Sequence, residues 1–233
     1  MNFDIEYVVQ VFPSILKYLP VTLEIAFLSG TIAMLLSICI VLLRHVPSRI
    51  LQAVLNFYLD FFRGTPVVVQ LFFLCYGLAQ LFPIFKNLSG FSAAVIGLSL
   101  NASSYMSESI RGAVQSVHRR QTEAGLACGL THLQVMRHIV FPQAAKVAVP
   151  TLVNDFIGLM KSTSVAFVLG VRDVMAQTKM LGGSSYRYFE CYFVAIIIYF
   201  ILTKLIHCFQ KWLERKLDVT TRKEGAACST SEA

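Results

Sequence analysis

Apolar residues come in long blocks along this chain, and charged residues collect in the gaps between them. The first block, Leu19–Leu43, holds one charge, Glu24, near its start, and ends at the basic connector RHVPSR. Twenty-five helical residues at 1.5 Å each rise about 37 Å, enough to cross roughly 30 Å of hydrocarbon with tilt. A second block, 55–81, opens on the mixed stretch LDFFRGTP, and a kink is expected at Gly64-Thr65-Pro66, where proline lacks a backbone donor. A third, 88–107, has no charge; a fourth, 147–171, is interrupted by Asp155 and Lys161; a fifth, 189–209, has Lys204 near its end, where a long stem carries the ammonium to the interface. The pattern predicts an all-α transmembrane protein with five spans.

Five spans put the termini on opposite sides. With the N-terminus outside, the inner segments and C-terminal region hold twelve Lys and Arg and the outer segments five (Lys17, Lys86, Arg172, Lys179, Arg187). Positive charge concentrates on the cytoplasmic side of membrane proteins, so the expected arrangement is N-terminus outside, C-terminus cytoplasmic. The opening MNFDIEYVVQVF is acidic and lacks a basic n-region, so the first block is read as a retained span rather than a cleaved signal. Residues 1–217 form one transmembrane domain in this reading, and 218–233, polar and small, a disordered cytoplasmic tail.

Composition agrees. Charged residues make up 14% of the 233, against about 25% in soluble domains, and mean hydropathy is +0.64. The net charge of +7 is scattered between spans, which suits basic inner connectors better than a nucleic-acid surface. The six cysteines show no C-x-x-C pair and no histidine at metal spacing, so neither a disulfide framework nor a zinc site is implied. A Walker-type G-x-x-x-x-G-K-[ST] motif is absent from the sequence, so work against a gradient would draw on a partner or on ions.

The segment that carries most information is the connector 109–145, with QTEAGLACGLTHLQVMRHIVFPQA at its heart. Ala124, Ala127, Cys128, Leu130, Leu133, Met136 and Ile139 fall on one helical face. Thr122 is placed as an N-cap with Glu123 in the first turn, Gly129 as a break, and Pro142 as the end of a second helical stretch. An amphipathic piece of this kind, poor in Lys and Arg beside its apolar face, asks for a protein groove on the cytoplasmic side.

The spacing of Glu123, Ala124, Gly125, Gly129, Ile139 and Pro142 resembles the E-A-A loop of membrane subunits of ABC importers. Three further blocks are similar to the polar amino-acid permease branch of that family: FFRGTPVVVQLFFLCYG, ESIRGAVQSV, and the run from Pro142 through NDFIGLMKSTS. Gly125 stands where alanine is commoner and Phe141 where leucine is usual, changes read as leaving the size class intact. His118-Arg119-Arg120 replaces the branch's Pro-x-Gly, so the turn into the helix is expected to differ. The resemblance implies the ABC importer permease fold in a bacterial cell membrane. It implies that those six residues form a coupling helix held in a cleft of an ATPase subunit. It implies a second permease subunit (identical or similar), a pair of ATPases that bind the ATP and Mg, and an external binding protein. On this reading the chain has no catalytic residue and no cofactor of its own. The cargo it implies is a polar amino acid of the histidine, glutamine, arginine or cystine type, with cystine weakly favoured.

Ionisable and polar groups inside spans are functional candidates by default. Lys161, at mid-depth of the fourth block, either meets a substrate carboxylate or pairs with a structural partner; Asn154, two turns earlier, shares its face, and Asp155 does not. Ser162, Thr163 and Ser164 either bond back to their own helix or serve a broken helix facing an anion. Ser103, Ser104 and Glu108 are cavity candidates or sites of close packing, and Arg63 an inner anchor or partner of Glu108. Gly182-Gly183-Ser184-Ser185 reads as an outer loop. The alternative from another class is an ion-driven secondary carrier, which needs no partner and usually shows inverted repeats and more spans.

Overall fold

A computed structural model describes residues 3–229, with side chains to residue 216. Every regular element among the described residues is helical. The elements are α1 (Ile5–Leu16), α2 (Leu19–Leu43), α3 (Arg49–Gly64), α4 (Val67–Leu81, with a π turn at Phe73–Gly77), α5 (Gly90–Ser116), α6 (Arg119–Ala127), α7 (His132–Leu169), α8 (Val174–Ser185) and α9 (Tyr188–Ser229). Two compact units are present, Met1–Ser107 with Asp155–Thr203 and Glu108–Asn154 with Lys204–Ala233. The expected tail, 218–233, lies beyond the last described side chain.

Three helices are long and apolar enough to cross a membrane: Leu19–Leu43, His132–Leu169 and Tyr188–Lys216. The bent pair α3 and α4 makes a fourth. Helix α5, at 27 residues, has the length but not the apolarity, because serines and Asn101 interrupt it. Their polarity is satisfied locally: Ser99, Ser103, Ser104 and Ser107 each donate to a carbonyl three or four residues back.

In the first unit α2 buries a stripe of small side chains, Ala26, Ser29, Gly30, Ala33 and Ser37, and turns Phe27, Leu28, Ile32 and Leu35 outward. Gly30 lies against the Phe156 ring, where a Cβ would sit 2.8 Å from Cε2. Small residues permit this approach, which drives helix association where no water is present to do so. Sequence reading did not separate α1. Asp4 caps it by accepting from the Tyr7 amide at 3.1 Å, and Val11 and Ile15 close a core with Val174, Val194 and Ile198.

The second predicted span is not one kinked helix. Its two halves diverge by 112°. Thr65 precedes a proline and is held extended (φ −120°, ψ 147°), which stops α3 rather than bending it. The carbonyls released at the break are taken by side chains: Gln70 Nε2 donates to Phe62 O and Thr65 O, both at 3.0 Å. Asn101 of α5 donates to the same Phe62 carbonyl and to Gln70 Oε1, again at 3.0 Å. A buried glutamine with both ends engaged makes this corner a fixed feature.

The glycine- and serine-rich segment expected as an outer loop is helical through Ser185. Only Tyr186 (φ 57°) turns the chain, in the left-handed region, before α9 begins. Gly182 is small because Tyr188 folds back on it; a Cβ would meet the ring at 2.9 Å.

Candidate functional site

The connector between α5 and α7 belongs to the second unit and is fully ordered into helices and caps. Helix α6 starts at Arg119, three residues before the expected start. Its cap is His118, whose Nδ1 accepts from the Arg120 amide at 3.2 Å, so Thr122 lies inside the helix. Glu123 pairs with Arg119 one turn back at 3.0 Å. Both are exposed, so the pair adds little stability.

The helix ends as the sequence requires. The Gly129 amide donates to Leu126 O at 3.0 Å and the Leu130 amide to Gly125 O at 3.1 Å, the two bonds of a Schellman stop, with Gly129 at φ +82°. Thr131 at once caps the next helix. Its hydroxyl accepts from the Gln134 amide at 3.3 Å, and Gln134 Oε1 accepts from the Thr131 amide at 2.8 Å. A stop and a start two residues apart fix the angle between α6 and α7. This capping box, T-x-x-Q, was visible in the sequence and went unread.

Pro142 does not end α7. The helix opens into a π turn over Met136–Val140, where the Phe141 amide reaches Met136 O five residues back. That shift absorbs the missing donor and the ring of Pro142, and the helix runs on past Ser162.

The inward face of the segment also differs from the expected one. Gly125, Val135 and Val140 are buried and Ile139 half-buried, whereas Ala124, Ala127, Cys128, Leu133 and Met136 are exposed, Leu133 by 78%. Gly125 is the contact point. A Cβ there would stand 2.8 Å from Ile139 Cδ1 and 2.9 Å from Val135 Cγ2. Glycine in place of alanine is therefore a packing choice and not the neutral change the sequence suggested. The internal packing of α6 on α7 consumes one apolar edge and leaves a second, Ala124-Ala127-Cys128-Leu133-Met136, open.

Of the polar candidates in the first unit, Lys161 is exposed and lines, with Ser164, Met175, Tyr192, Ala195, Ile196 and Tyr199, an open groove of about 360 Å³. Thr163 is fully buried and donates to Met160 O at 2.7 Å; Ser162 and Ser164 likewise donate to carbonyls of their own helix. Beyond Ser162 the helix tightens to a 3-10 form, Thr163–Leu169. Ser104 is buried with its hydroxyl on Asn101 O at 2.6 Å, and Ser103 shares a 2.6 Å hydrogen bond with the hydroxyl of Tyr58. Arg63 lies 4.0 Å from Asp60 on its own helix. In the second unit Glu108 makes a tight pair with Arg111, 2.6 Å at the shortest, while Arg111 also donates to Gln115. Asn154 is exposed on α7. Gln70, Asn101 and Asp173, each with a defined polar role, were not singled out from sequence; only their burial reveals them.

Residues 37–219 match the family model described as binding-protein-dependent transport system inner membrane component. A probable amino-acid ABC transporter permease of Vibrio harveyi is 43% identical over 94% of this chain and 98% of its own length. An L-cystine transport system permease of Bacillus subtilis is 37% identical over 84% and 83%. The crystal structure of an amino acid ABC transporter with histidines superposes with a TM-score of 0.85 at 34% identity, over 93% of this chain and all of that one. With its helical architecture, its capped connector and this agreement along nearly its whole length, the chain belongs to the family of binding-protein-dependent transport system inner membrane components, among the amino-acid ABC transporter permeases.

Proposed function

We propose that this chain is the membrane subunit of an ATP-driven importer of a polar amino acid, with α6 and the first turns of α7 as the element that couples it to an ATPase. The carrying observation is the open apolar edge of that segment. Gly125, Val135 and Ile139 hold α6 and α7 to each other, so Leu133, Met136, Ala124 and Ala127 are left without an internal partner. Family membership makes an ATPase cleft the natural occupant. Glu123, Ala124, Gly125, Gly129, Ile139 and Pro142 keep the roles the sequence suggested, Gly125 and Ile139 by shaping the segment from within.

In this reading the chain crosses a bacterial inner membrane five times, α5 being the fifth crossing element despite its serines, with the N-terminus outside and the coupling segment in the cytoplasm. A second permease subunit, identical or similar, completes the path; two ATPases bind ATP and Mg below; an external binding protein delivers cargo above. Closure of the ATPases moves the coupling segment, and its capped turn transmits the motion because it has no slack. Lys161 and Ser164 are the path residues we favour, since both line the groove, with the ammonium available to a substrate carboxylate. Arg63, Glu108 and Asn154 remain candidates by their accessibility. Thr163 and Ser104 are assigned to helix packing. The L-cystine relative and the histidine complex are nearly equally similar to this chain, so the cargo within the polar class is a matter for uptake measurements.

The test is reconstitution of the chain with its ATPase in proteoliposomes. Labelled amino-acid uptake that needs ATP, and that disappears with Leu133→Arg, is the expected result. Uptake by the chain alone, driven by an ion gradient, would overturn it.

A further inference from the structure

The search outside the coupling segment ends at a buried polar cluster in the first unit. Asp173 is fully buried. Its Oδ1 accepts from the Ala176 amide at 2.8 Å and caps α8. Its Oδ2 has no hydrogen-bond partner. Tyr199 of α9 faces this carboxyl, and its hydroxyl is likewise buried without a partner, close to the hydroxyls of Thr22 and Thr163. Thr22 of α2 in turn accepts from the Val174 amide at 3.2 Å, so α2, α7, α8 and α9 meet at one polar point. Two unsatisfied buried groups side by side are rare in a folded protein and call for a missing atom between them or on one of them.

No cation supplies it. Arg172, next in sequence, is exposed; Lys179 of α8 lies over the Phe167 ring at 4.8 Å; Arg187 is paired with Asp4 at the far end of α8; Lys161 of α7 and Glu24 of α2 are exposed. From α9 the group that faces Asp173 is the neutral phenol of Tyr199. A buried carboxylate without a counter-ion is costly as an anion. Burial pushes the Asp173 carboxyl up to about 6, against three backbone N–H groups that pull it down.

We propose that Asp173 and Tyr199 form a proton-binding site that locks α8 in place. With a proton on Oδ2 the acid donates to the Tyr199 oxygen, and the cluster is neutral and complete. Loss of the proton leaves a buried anion whose relief is displacement of α8 toward water. The sign follows from the raised pKa. The lock contributes fully below the ordinary carboxylate value and is lost as pH rises through about 6. Met175 of α8 and Tyr199 both line the groove that holds Lys161, so the state of the lock sets the freedom of one groove wall. The site rests on the proposed function only for its consequence in transport; the lock itself is a property of this chain.

The test therefore uses the purified full-length protein. Hydrogen exchange of the α8 amides, corrected for intrinsic rate, should slow by about tenfold or more between pH 7.5 and pH 5. Asp173→Asn keeps the cap and carries no charge, and should show the slow rate at both pH values; Tyr199→Phe should reduce the pH response. Infrared difference spectra across pH 6 should show a protonated-carboxyl band that Asp173→Asn removes. A pH-independent α8 in the native protein, absence of that band, or protection that depends on sodium instead of protons would overturn the proposal. Failure of ATP-driven uptake would overturn the importer reading and leave these results standing.

Discussion

Asn101 of α5 donates to Gln70 of α4 across 3.0 Å, and both side chains also donate to the carbonyl of Phe62, the last of these belonging to α3. Three helices thus share one pair of amides at the point where the chain turns by 112°. Gln70→Leu keeps the volume and removes every one of these bonds, leaving Phe62 O, Thr65 O and the Asn101 amide short of partners. The expected loss is about 1–3 kcal/mol, read as a lower melting midpoint of the purified protein. Because the two amides act together, Asn101→Ala should cost much less in the Gln70→Leu background than in the native one. Additive losses would show that the corner is held by something else.

Gly125 sets two opposed effects against each other. Alanine improves helix propensity by about 1 kcal/mol, but its methyl enters the space of Val135 and Ile139. Ile139 can swing its terminal carbon aside. Val135 is fully buried and branched at Cβ, so it has no such freedom. Overpacking of this kind costs about 1–3 kcal/mol, so Gly125→Ala should destabilise α6 by a modest net amount. Val135→Ala should then be better tolerated in the Gly125→Ala chain than alone. A thermal-melt double-mutant cycle checks this, and a coupling near zero would remove the contact as the reason for glycine.

At the outer end of α1, Asp4 caps the helix and meets Arg187 at 2.6 Å, while that guanidinium also covers the Tyr7 ring. The Tyr7 amide first, and Arg187 second, hold the Asp4 carboxyl below its ordinary 3.8. A lowered pKa stabilises above the unfolded value, and the contribution is lost as pH falls through the folded one. Protection of α1 amides against exchange should therefore hold from neutrality down to about pH 4 and fall below it. Asp4→Asn, which can still cap, should flatten that acid response. An unchanged acid response in that variant would assign it to another group.

How much of this was legible beforehand divides along physical lines. Leu19–Leu43 was read to the residue, because a long uncharged run bounded by RHVPSR admits one interpretation. The break at Thr65 was read as a kink, because proline announces a fault but not who satisfies the freed carbonyls; that depends on Gln70 and on Asn101, thirty-one residues further on. Pro142 misled for the opposite reason. A π turn upstream absorbs it, and such turns leave no local signature. The cap at His118 was missed because histidine is an uncommon cap, and Asp173 because its burial is a tertiary fact. The turn at Gly129 was legible, since glycine between two amphipathic pieces is the usual stop.

That turn gives the sharpest test of coupling. Gly129 adopts φ +82°, and no atom lies within 4 Å of where its Cβ would be. Any substitution effect in this chain is therefore backbone strain rather than crowding. A left-handed backbone costs an ordinary residue about 1–2 kcal/mol, less for asparagine and more for a β-branched side chain. The Schellman bonds at Leu126 and Gly125 compete with that strain, so the stop should survive in Gly129→Asn and loosen in Gly129→Val. If the angle between α6 and α7 is what an ATPase recognises, its co-purification should decline in the order glycine, asparagine, alanine, valine, while the membrane helices keep their melting midpoint. Full retention of the ATPase by the valine variant would mean that the turn's geometry is not what is gripped.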